Sequence, residues 1–259
     1  MFKRIGKLLP AVCLTMDMAS AAESPFIGDW RLDPSKSRMP DKMKVENKGG
    51  YKYVLDFGVG IPEPIIVDGS EQPGVWGTLL SVKAEAPDSW IVERKKDGRL
   101  LLKATWKLSK DNSTLIDYYR EFESDGSTLS VDYVYQRTGG GSGFAAEWQS
   151  IKETMNTPFP LHVKAFQSDG LSFITPSEHK TKNVRFYGKD YPNEGSNADR
   201  RATSSIQLVD ERTLVITDKT DGKVTETEAV GLSVDLKTLT ITSHVQGRDK
   251  PNVMVFERK

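Results

Sequence analysis

The chain has 259 residues, 37% of them hydrophobic, and its 36 Lys and Arg residues are balanced by 36 Asp and Glu residues. This length allows one large domain or two ordinary ones, because a single hydrophobic core rarely keeps growing beyond about 250–300 residues. The even charge speaks against the basic surface of a nucleic-acid-binding protein. No run of about 18 apolar residues occurs after the N-terminus, which predicts no membrane span.

The N-terminal segment has the pattern of a signal peptide. Basic residues stand within positions 3–7, an apolar run follows at 8–16, and small residues at 19–21 have the spacing of a cleavage site. We therefore predict a signal peptide over residues 1–21 and a secreted or periplasmic protein. Asp17, a charge close to the cleavage site, leaves open a second interpretation, a disordered cytoplasmic leader.

Two stretches of the chain repeat each other. Residues 26–30 read Phe-Ile-Gly-Asp-Trp and residues 144–148 read Phe-Ala-Ala-Glu-Trp, with a glycine-rich run at 138–143 before the second. Further matches follow in the same order along both halves, which predicts one β-rich unit written twice. They are Gly69 to Pro73 with Gly188 to Pro192, Asp97-Gly98 with Asp221-Gly222, residues 113–115 with 237–239, and residues 135–137 with 256–258.

The repeats divide the chain into a first unit at 26–137, a Gly-rich linker at 138–143 and a second unit at 144–259. The alternative is convergence, since Asp-Gly turns recur in any antiparallel protein.

Most of the local signals predict strands. Hydrophobic alternation at Leu102, Ala104, Trp106 and Leu108 is typical of a half-buried strand, and short turns force antiparallel neighbours. The predicted strands cover 52–57, 89–94, 100–108, 114–122, 128–137, 184–187, 204–209, 213–218, 224–230, 238–245 and 252–258. Short helical turns are expected only at 34–38 and 150–155. So many short strands predict an all-β fold of two tandem barrels or sandwiches.

Each unit has a tryptophan near its start and an arginine on its last predicted strand. Gly28-Asp29-Trp30 with Arg137 resembles the Gly-x-Trp motif and late basic residue of lipocalins, while the second unit offers residues 146–148 with Arg258 but lacks the glycine. The resemblance implies two tandem lipocalin-like β-barrels, with the arginine packed over the tryptophan at the barrel floor. The alternative is that both tryptophans are ordinary core residues.

Patterns for catalysis, metals and cofactors are missing from the sequence. The three histidines, His162, His179 and His244, form no ligand pair, and the only cysteine, Cys13, lies in the leader. The glycine-rich run lacks the Lys-Ser/Thr that completes a phosphate-binding loop. We therefore expect no cofactor, no metal site and no catalytic residue that can be named.

The first unit is the more aromatic and holds four of the five tryptophans. We predict a ligand cavity in it, since aromatic walls suit an apolar ligand. The candidate ligand-binding residues are Tyr53, Trp90, Trp106, Tyr118, Arg120 and Tyr133.

Arg120 is the candidate charge in this cavity, provided that Ile116, Tyr118 and Phe122 share its inward strand face. Fatty-acid-binding proteins, relatives of the lipocalins, use an inward arginine and tyrosine, which implies an apolar carboxylate as ligand. The alternative is that the face of Leu115 points inward, as the match of Leu115 to Leu239 favours, and that Arg120 pairs with an acidic neighbour or faces solvent.

Three functions remain open. The first is an extracytoplasmic binding protein for a small hydrophobic or aromatic molecule. The second is an enzyme on paired lipocalin-like barrels, such as a hydratase, isomerase or cyclase of apolar substrates. The third is a structural or protein-interaction module with filled barrels. The lack of an acid–base set favours binding over catalysis, and the sequence leaves the oligomeric state open.

Overall fold

The computed structural model describes residues 24–58, 61–123, 126–176, 180–186, 188–195 and 201–259. Within these ranges the protein is all-β, with twenty strands and one 3-10 turn at Val75–Gly77. The all-β prediction is therefore confirmed. The predicted signal peptide, His179 and Tyr187 lie outside the described residues.

The strands of the first half are β1 (Gly28–Leu32), β2 (Lys42–Asn47), β3 (Lys52–Asp56), β4 (Glu63–Ile66), β5 (Gln72–Pro73), β6 (Leu79–Ala86), β7 (Ser89–Lys96), β8 (Arg99–Leu108), β9 (Thr114–Phe122), β10 (Thr128–Gly139) and β11 (Ala146–Met155). Those of the second half are β12 (Pro160–Phe166), β13 (Gly170–Thr175), β14 (Lys180–Arg185), β15 (Tyr191–Pro192), β16 (Ala202–Asp210), β17 (Thr213–Thr220), β18 (Lys223–Leu232), β19 (Thr238–Val245) and β20 (Asn252–Arg258).

The strands form two nearly closed antiparallel sheets of ten strands each, shaped as barrels. The first barrel has the order β4-β3-β2-β11-β10-β9-β8-β7-β6-β5, and the second has β14-β13-β12-β1-β20-β19-β18-β17-β16-β15. The first barrel is open at the seam between β4 and β5, and the second at the seam between β14 and β15. At the first seam the side chain of Gln72 accepts a 2.8 Å bond from the backbone N–H of Ile66 and donates a 2.8 Å bond to its carbonyl. These two bonds take the place of backbone hydrogen bonds that a neighbouring strand would make.

The first strand of each repeat lies in the barrel of the other repeat. β1 pairs with β12 and β20, so Trp30 belongs to the second barrel. β11 pairs with β10 and β2, so Trp148 belongs to the first. The sheets therefore divide the chain differently from the predicted segments 26–137 and 144–259: the first barrel is one continuous meander from β2 to β11, and the second is closed by the N-terminal strand.

The glycine-rich run explains this arrangement. Residues 138 and 139 end β10, and residues 140–145 form the hairpin connection to β11, with φ values of +69°, +40° and +59° at Gly140, Gly141 and Gly143. A Cβ on Gly141 would lie 2.0 Å from the carbonyl oxygen of Ala145, so the turn requires glycine there. Because so short a connection forces antiparallel neighbours, β11 must join the sheet of β10.

The expected helical turn at 150–155 is wrong. These residues are the second half of β11, where Ser150 to Met155 pair along β10 with one register shift. A ladder on a long neighbouring strand satisfies the backbone of the whole segment, whereas an isolated helix of this length is marginal.

A tryptophan and an arginine meet at the corner of each barrel. Arg258 lies over the Trp30 ring at 4.1 Å, and Arg137 lies over the Trp148 ring at 4.5 Å. Both rings are at most 1% exposed. The two Nε1–H groups each donate 3.0 Å bonds, Trp30 to the carbonyl of Phe26 and Trp148 to that of Phe144. The resemblance implied contact between Trp30 and Arg137, and the exchange of first strands gives Trp30 the arginine of the other repeat.

The glycine difference between the repeats has a steric cause. A Cβ on Gly28 would lie 2.6 Å from Arg258 Nη1, which donates a 2.8 Å bond to the carbonyl of Ile27. Ala146 takes the same place in the first barrel. There Arg137 Nη1 lies farther away, at 3.4 Å from the carbonyl of Ala145.

The hairpin turns also repeat. Asp97-Gly98 has φ values of +50° and +77°, and Asp221-Gly222 has +51° and +75°. Asn112 and Leu236, each in the next hairpin, take +57° and +59°. These matches, 124 residues apart, align β7, β8 and β9 with β17, β18 and β19. The corner arginines Arg137 and Arg258, 121 residues apart, align β10 with β20. In the described part of the chain no helix is long and apolar enough to cross a membrane.

Candidate binding cavity in the first barrel

The interior of the first barrel contains a cavity of about 300 Å³. Its walls are mostly apolar and aromatic, and several charged side chains also line it. The aromatic residues on its lining are Phe57, Trp106, Tyr119, Tyr133 and Tyr135, and the charged or ionisable ones are Asp41, Glu63, Arg94, Asp117, Glu121 and Arg248. A volume of this size is at the lower end of the range for small-molecule sites.

Three polar side chains stand side by side across adjacent strands of the cavity wall. Trp106 of β8 is directly opposite Asp117 of β9, and Asp117 is directly opposite Tyr133 of β10. Opposed residues on one face of a sheet bring their Cβ atoms to about 4.5–5.5 Å. We call Trp106, Asp117 and Tyr133 the polar row. Their exposed fractions are 1%, 6% and 9%.

The polar row has hydrogen-bonding capacity that other described residues do not use. Trp106 Nε1 and Asp117 Oδ1 are both buried without a hydrogen-bond partner of normal geometry. Such groups are rare in folded proteins, because an unpaired buried donor or acceptor costs about 1–3 kcal/mol. The two atoms belong to neighbouring residues and line the same cavity, so a ligand atom can reach both.

Burial raises the pKa of Asp117 to about 8. The indole of Trp106 and the charge of Arg120 act in the opposite direction, and Asp41 and Asp132 add to the rise. At neutral pH the carboxyl group is therefore mostly protonated, and its O–H is a donor.

A second group of polar residues enters the cavity where the two barrels meet. Tyr135 donates a 2.7 Å bond from its hydroxyl to Asp41 Oδ2, and Arg248 Nη2 lies 3.3 Å from Asp41 Oδ1. Arg248 comes from the turn between β19 and β20, so the second barrel supplies one side chain to the cavity of the first. Burial raises the pKa of Asp41, while Tyr135 and Arg248 favour its ionised form.

An ion pair lies beside the seam of the first barrel. Arg94 binds Glu63 through two bonds of 2.9 and 2.6 Å, and it donates a third of 2.8 Å to the Thr78 hydroxyl. Glu63 is 4% exposed and also accepts a 2.9 Å bond from the backbone N–H of Val75. This pair ties β4 to β7 across the break in the sheet.

Two of the six predicted ligand-binding residues line the cavity, namely Trp106 and Tyr133. Trp90 is buried behind Trp106, with ring centroids 6.1 Å apart, and it stacks on Phe144 at 4.1 Å. Tyr53 meets the edge of Trp90 at 5.0 Å. Trp90 and Tyr53 therefore belong to the packed aromatic end of the barrel.

The other two predicted residues, Tyr118 and Arg120, lie on the outer face of β9. Tyr118 is 36% exposed, and Arg120 pairs with Asp132 at 2.8 Å on the neighbouring strand. The inward face of β9 carries Asp117, Tyr119 and Glu121 instead. The structure therefore has the alternative orientation, in which the face of Leu115 points inward and Arg120 pairs with an acidic neighbour. The physical reason is that an outward Arg120 finds its counter-charge on β10 without being desolvated.

The second barrel has apolar residues where the first has its polar row. Val230, Ile241 and Met254 occupy the positions of Trp106, Asp117 and Tyr133, and they oppose one another in the same register. The barrel architecture therefore does not require polar residues here.

The seam ion pair is present in the second barrel with its charges exchanged. Lys182 stands at the position of Glu63 and Asp218 at that of Arg94, and Lys182 Nζ lies 2.6 Å from both Asp218 and Glu228. Burial opposes the charge of Lys182, but the two carboxylates outweigh it and raise its pKa. A smaller cavity of about 220 Å³ lies beside this group.

Asp218, Glu226 and Glu228 bring carboxylate oxygens within 4.8 Å of one another, a spacing that a metal ion could use. The ammonium group of Lys182 already neutralises two of them, so the cluster is a buried ion pair network. Two of the three histidines lie within the described residues. His162 Nδ1 is 2.6 Å from Asp29 Oδ1 in the second barrel, and His244 is exposed.

Comparison of the chain with family models, with curated proteins and with solved structures finds no match. The geometry of the cavity is therefore the basis for a functional assignment.

Proposed function

We propose that this protein is an extracytoplasmic binding protein that holds a small hydrophobic or aromatic molecule inside the first of two lipocalin-like barrels. The observation that carries the proposal is the cavity of about 300 Å³ with aromatic walls. Such pockets, with a few placed polar groups, are typical of small-molecule sites. The lipocalin resemblance is supported by the tryptophan and arginine at each barrel corner.

The contrast between the barrels supports binding over a purely structural role. A module that needs only a stable barrel has no use for Asp117 in a hydrophobic wall, since Ile241 fills the same position in the second barrel. A buried carboxyl without a full set of partners costs stability. Its place on the wall of the larger cavity favours a role for Asp117 toward a ligand.

The polarity of the cavity disfavours the apolar carboxylate that the inward Arg120 implied. Arg120 is bound to Asp132 outside the barrel. Inside, Arg94 and Arg248 are already occupied by Glu63 and Asp41. A carboxylate ligand would have to compete with Glu63 for Arg94 or with Asp41 for Arg248, whose Nε has no hydrogen-bond partner.

Catalysis is a second candidate, favoured by one observation. Asp117 holds a proton at neutral pH next to an apolar cavity, and such a group can act as a general acid. Turnover of an apolar alkene or ketone that disappears in Asp117→Asn would support an enzyme, and unchanged substrate with tight binding would support a binding protein.

The proposal is tested by native mass spectrometry of the protein purified from its own source. We expect a small molecule to remain bound to the parent protein and to be lost in Ala104→Phe, which fills the cavity from the wall of β8. The matched control is Ala229→Phe, the same change at an exposed position of the second barrel. Equal occupancy of both variants would place the ligand elsewhere, and a parent protein that is always ligand-free would favour the interaction module.

The location of the protein is tested separately. Fractionation of cells that make the full chain should place the protein outside the cytoplasm, with a mature N-terminus near Ala22. An intact Met1 on most of the protein would contradict export.

A further inference from the structure

We infer that the polar row binds the oxygen atom of an uncharged, ring-bearing ligand with one carbonyl group. The inference rests on the proposed binding function and names the chemical class of the ligand. It stands on the position of Trp106, Asp117 and Tyr133 on the cavity wall, on the unpaired Trp106 Nε1 and Asp117 Oδ1 atoms, and on the balance of charge around them.

The first argument is the geometry of the donors. The register places Trp106 and Tyr133 on either side of Asp117, on three neighbouring strands. The indole N–H, the carboxyl O–H and the phenol O–H are three donors on one patch of wall. The Trp106 indole interacts with the Asp117 carboxyl, but its N–H has no hydrogen-bond partner of normal geometry. A carbonyl oxygen has two lone pairs and no proton, so it can accept from two of these donors at once.

The second argument is the charge around Asp117. Within the cavity, Asp41 faces Arg248, Glu63 faces Arg94, and Glu121 accepts a 3.0 Å bond from the Tyr119 hydroxyl. On the outer face of the same strands, Arg120 is paired with Asp132.

The cationic side chains near Asp117 already face carboxylates, so an anionic ligand would have to compete with Asp41 for Arg248, whose Nε has no hydrogen-bond partner. An ammonium ligand would have to ionise Asp117 in a place where burial opposes ionisation, and it would lose its own hydration. An uncharged ligand avoids both costs.

The third argument comes from the second barrel. Val230, Ile241 and Met254 repeat the register of the polar row without any polar atom that could bind a carbonyl. Packing alone therefore accepts apolar residues at these three positions. The unpaired polar atoms of the first barrel cost stability, and a hydrogen bond to a polar ligand atom would offset that cost.

The pH dependence follows from the donor role of Asp117. Below a pKa of about 8 the carboxyl can donate to the carbonyl, and above it the carboxylate repels the carbonyl oxygen. Burial holds the pKa values of Tyr119, Tyr133 and Tyr135 above that of an ordinary tyrosine, so these groups do not titrate in this range. Affinity for the ketone should therefore fall as the pH rises through about 8.

The test uses four probes that share one ring system: 1-indanone, indane, 1-aminoindane and indane-1-carboxylate. Isothermal titration calorimetry on the full mature protein at about pH 6.5 and about pH 9.5 gives their affinities. We expect 1-indanone to bind about tenfold more tightly than indane at the lower pH, since each neutral hydrogen bond adds roughly 0.5–1.5 kcal/mol. The amine and the carboxylate should bind more weakly than the ketone.

Two variants assign the effect to Asp117. Asp117→Ile copies the second barrel and should bind indanone and indane equally. Asp117→Asn keeps a donor that cannot ionise, so it should retain the preference for the ketone and lose the pH dependence. The control is Asp190→Asn, which removes a carboxyl that pairs with Lys219 near the surface of the second barrel. It should change neither the preference for the ketone nor the pH dependence.

The outcomes separate the inference from the function on which it rests. If indane or the amine binds as tightly as indanone, or if Asp117→Ile keeps the preference, the carbonyl site is refuted while the cavity remains a binding site. If none of the four probes binds the parent protein, the proposed function itself is contradicted, and the carbonyl site with it.

Discussion

The two barrels share one architecture and differ in what they place inside it. The corners match closely, since the three backbone carbonyls that accept from Arg258 each have a counterpart that accepts from Arg137. Arg137 also donates to the carbonyls of Gly140 and Gly141. The interiors differ, because the first barrel has an aromatic cavity with a polar row and the second has a buried ion network beside a smaller cavity. The comparison indicates that the residues at the corners and turns specify the barrel, while the inward-facing residues of the wall can differ between the two copies.

The seam pairs make the same point. Glu63 with Arg94 and Lys182 with Asp218 join corresponding strands with opposite polarity. An ion pair across the open seam is thus retained while the charges that form it are reversed. What matters to the barrel is the link between the fourth and seventh strands of the repeat.

The largest expected effect concerns the exchanged first strands. Trp30→Ala and Trp148→Ala should each cost about 3–5 kcal/mol of unfolding free energy, the usual range for truncation of a buried tryptophan. Because β1 lies in the second barrel, Trp30→Ala should weaken hydrogen-exchange protection first in β12 and β20, although the residue is close to the N-terminus. Trp148→Ala should instead weaken β2 and β10. The reverse assignment would refute the exchange.

The buried ion network of the second barrel comes next. Lys182→Met leaves Asp218 and Glu228 without their cation, and breaking a buried pair in this way typically costs about 3–5 kcal/mol. Burial already raises the pKa of Glu228, and the loss of Lys182 raises it further. The variant should therefore be least stable at high pH and recover toward acid, where the carboxyls are protonated.

The measurement is urea unfolding across the pH range, with Lys219→Met as control. Lys219 pairs with Asp190 at 2.8 Å near the surface, so its loss should cost at most about 1 kcal/mol. Equal effects for the two lysines would show that the network is not a buried one.

At Asp117 we expect substitution to stabilise the protein rather than to destabilise it. The unfolded chain releases this proton near the ordinary pKa of Asp, and the folded protein holds it to about pH 8. Stability should therefore fall as the pH rises between about 4 and 8, by up to about 1.4 kcal/mol per pH unit. Asp117→Ile should lack this slope and be the more stable protein near pH 8.

The reciprocal change sharpens the comparison between the barrels. Ile241→Asp buries a carboxyl in the second barrel and should introduce a similar fall of stability with pH. If Asp117→Ile is less stable than the parent near pH 8, the carboxyl has a structural partner and the argument for a ligand weakens.

Much of the fold can be predicted from the sequence, because the signals that specify it are local. Asp97-Gly98 and Asp221-Gly222 predict tight turns, and the alternation around Trp106 predicts a half-buried strand. The exchange of first strands is harder to predict, because β1 and β11 carry the same motif. The glycine-rich run is the part of the sequence that decides between the two arrangements. It fits a hairpin turn as well as a linker, so the sequence alone leaves open which strand pairs with β10.

The candidate site is less predictable than the fold. A strand has two faces, and the residues of β9 alternate between them, so the orientation of Arg120 and Asp117 depends on which face is inward. The match of Leu115 to Leu239 favours the correct face. The rule that apolar residues face inward does not apply at Asp117, and functional sites are where such local rules are expected to fail.

The most direct test of the account is an NMR titration that observes both barrels at once. Met39 and Met43 line the first cavity, and Met254 lines the second, so methyl labels on methionine report each site separately. Addition of 1-indanone should shift the signals of Met39 and Met43 and leave that of Met254 unchanged. A shift at Met254 alone, or no shift at any of the three, would contradict a ligand site in the first barrel.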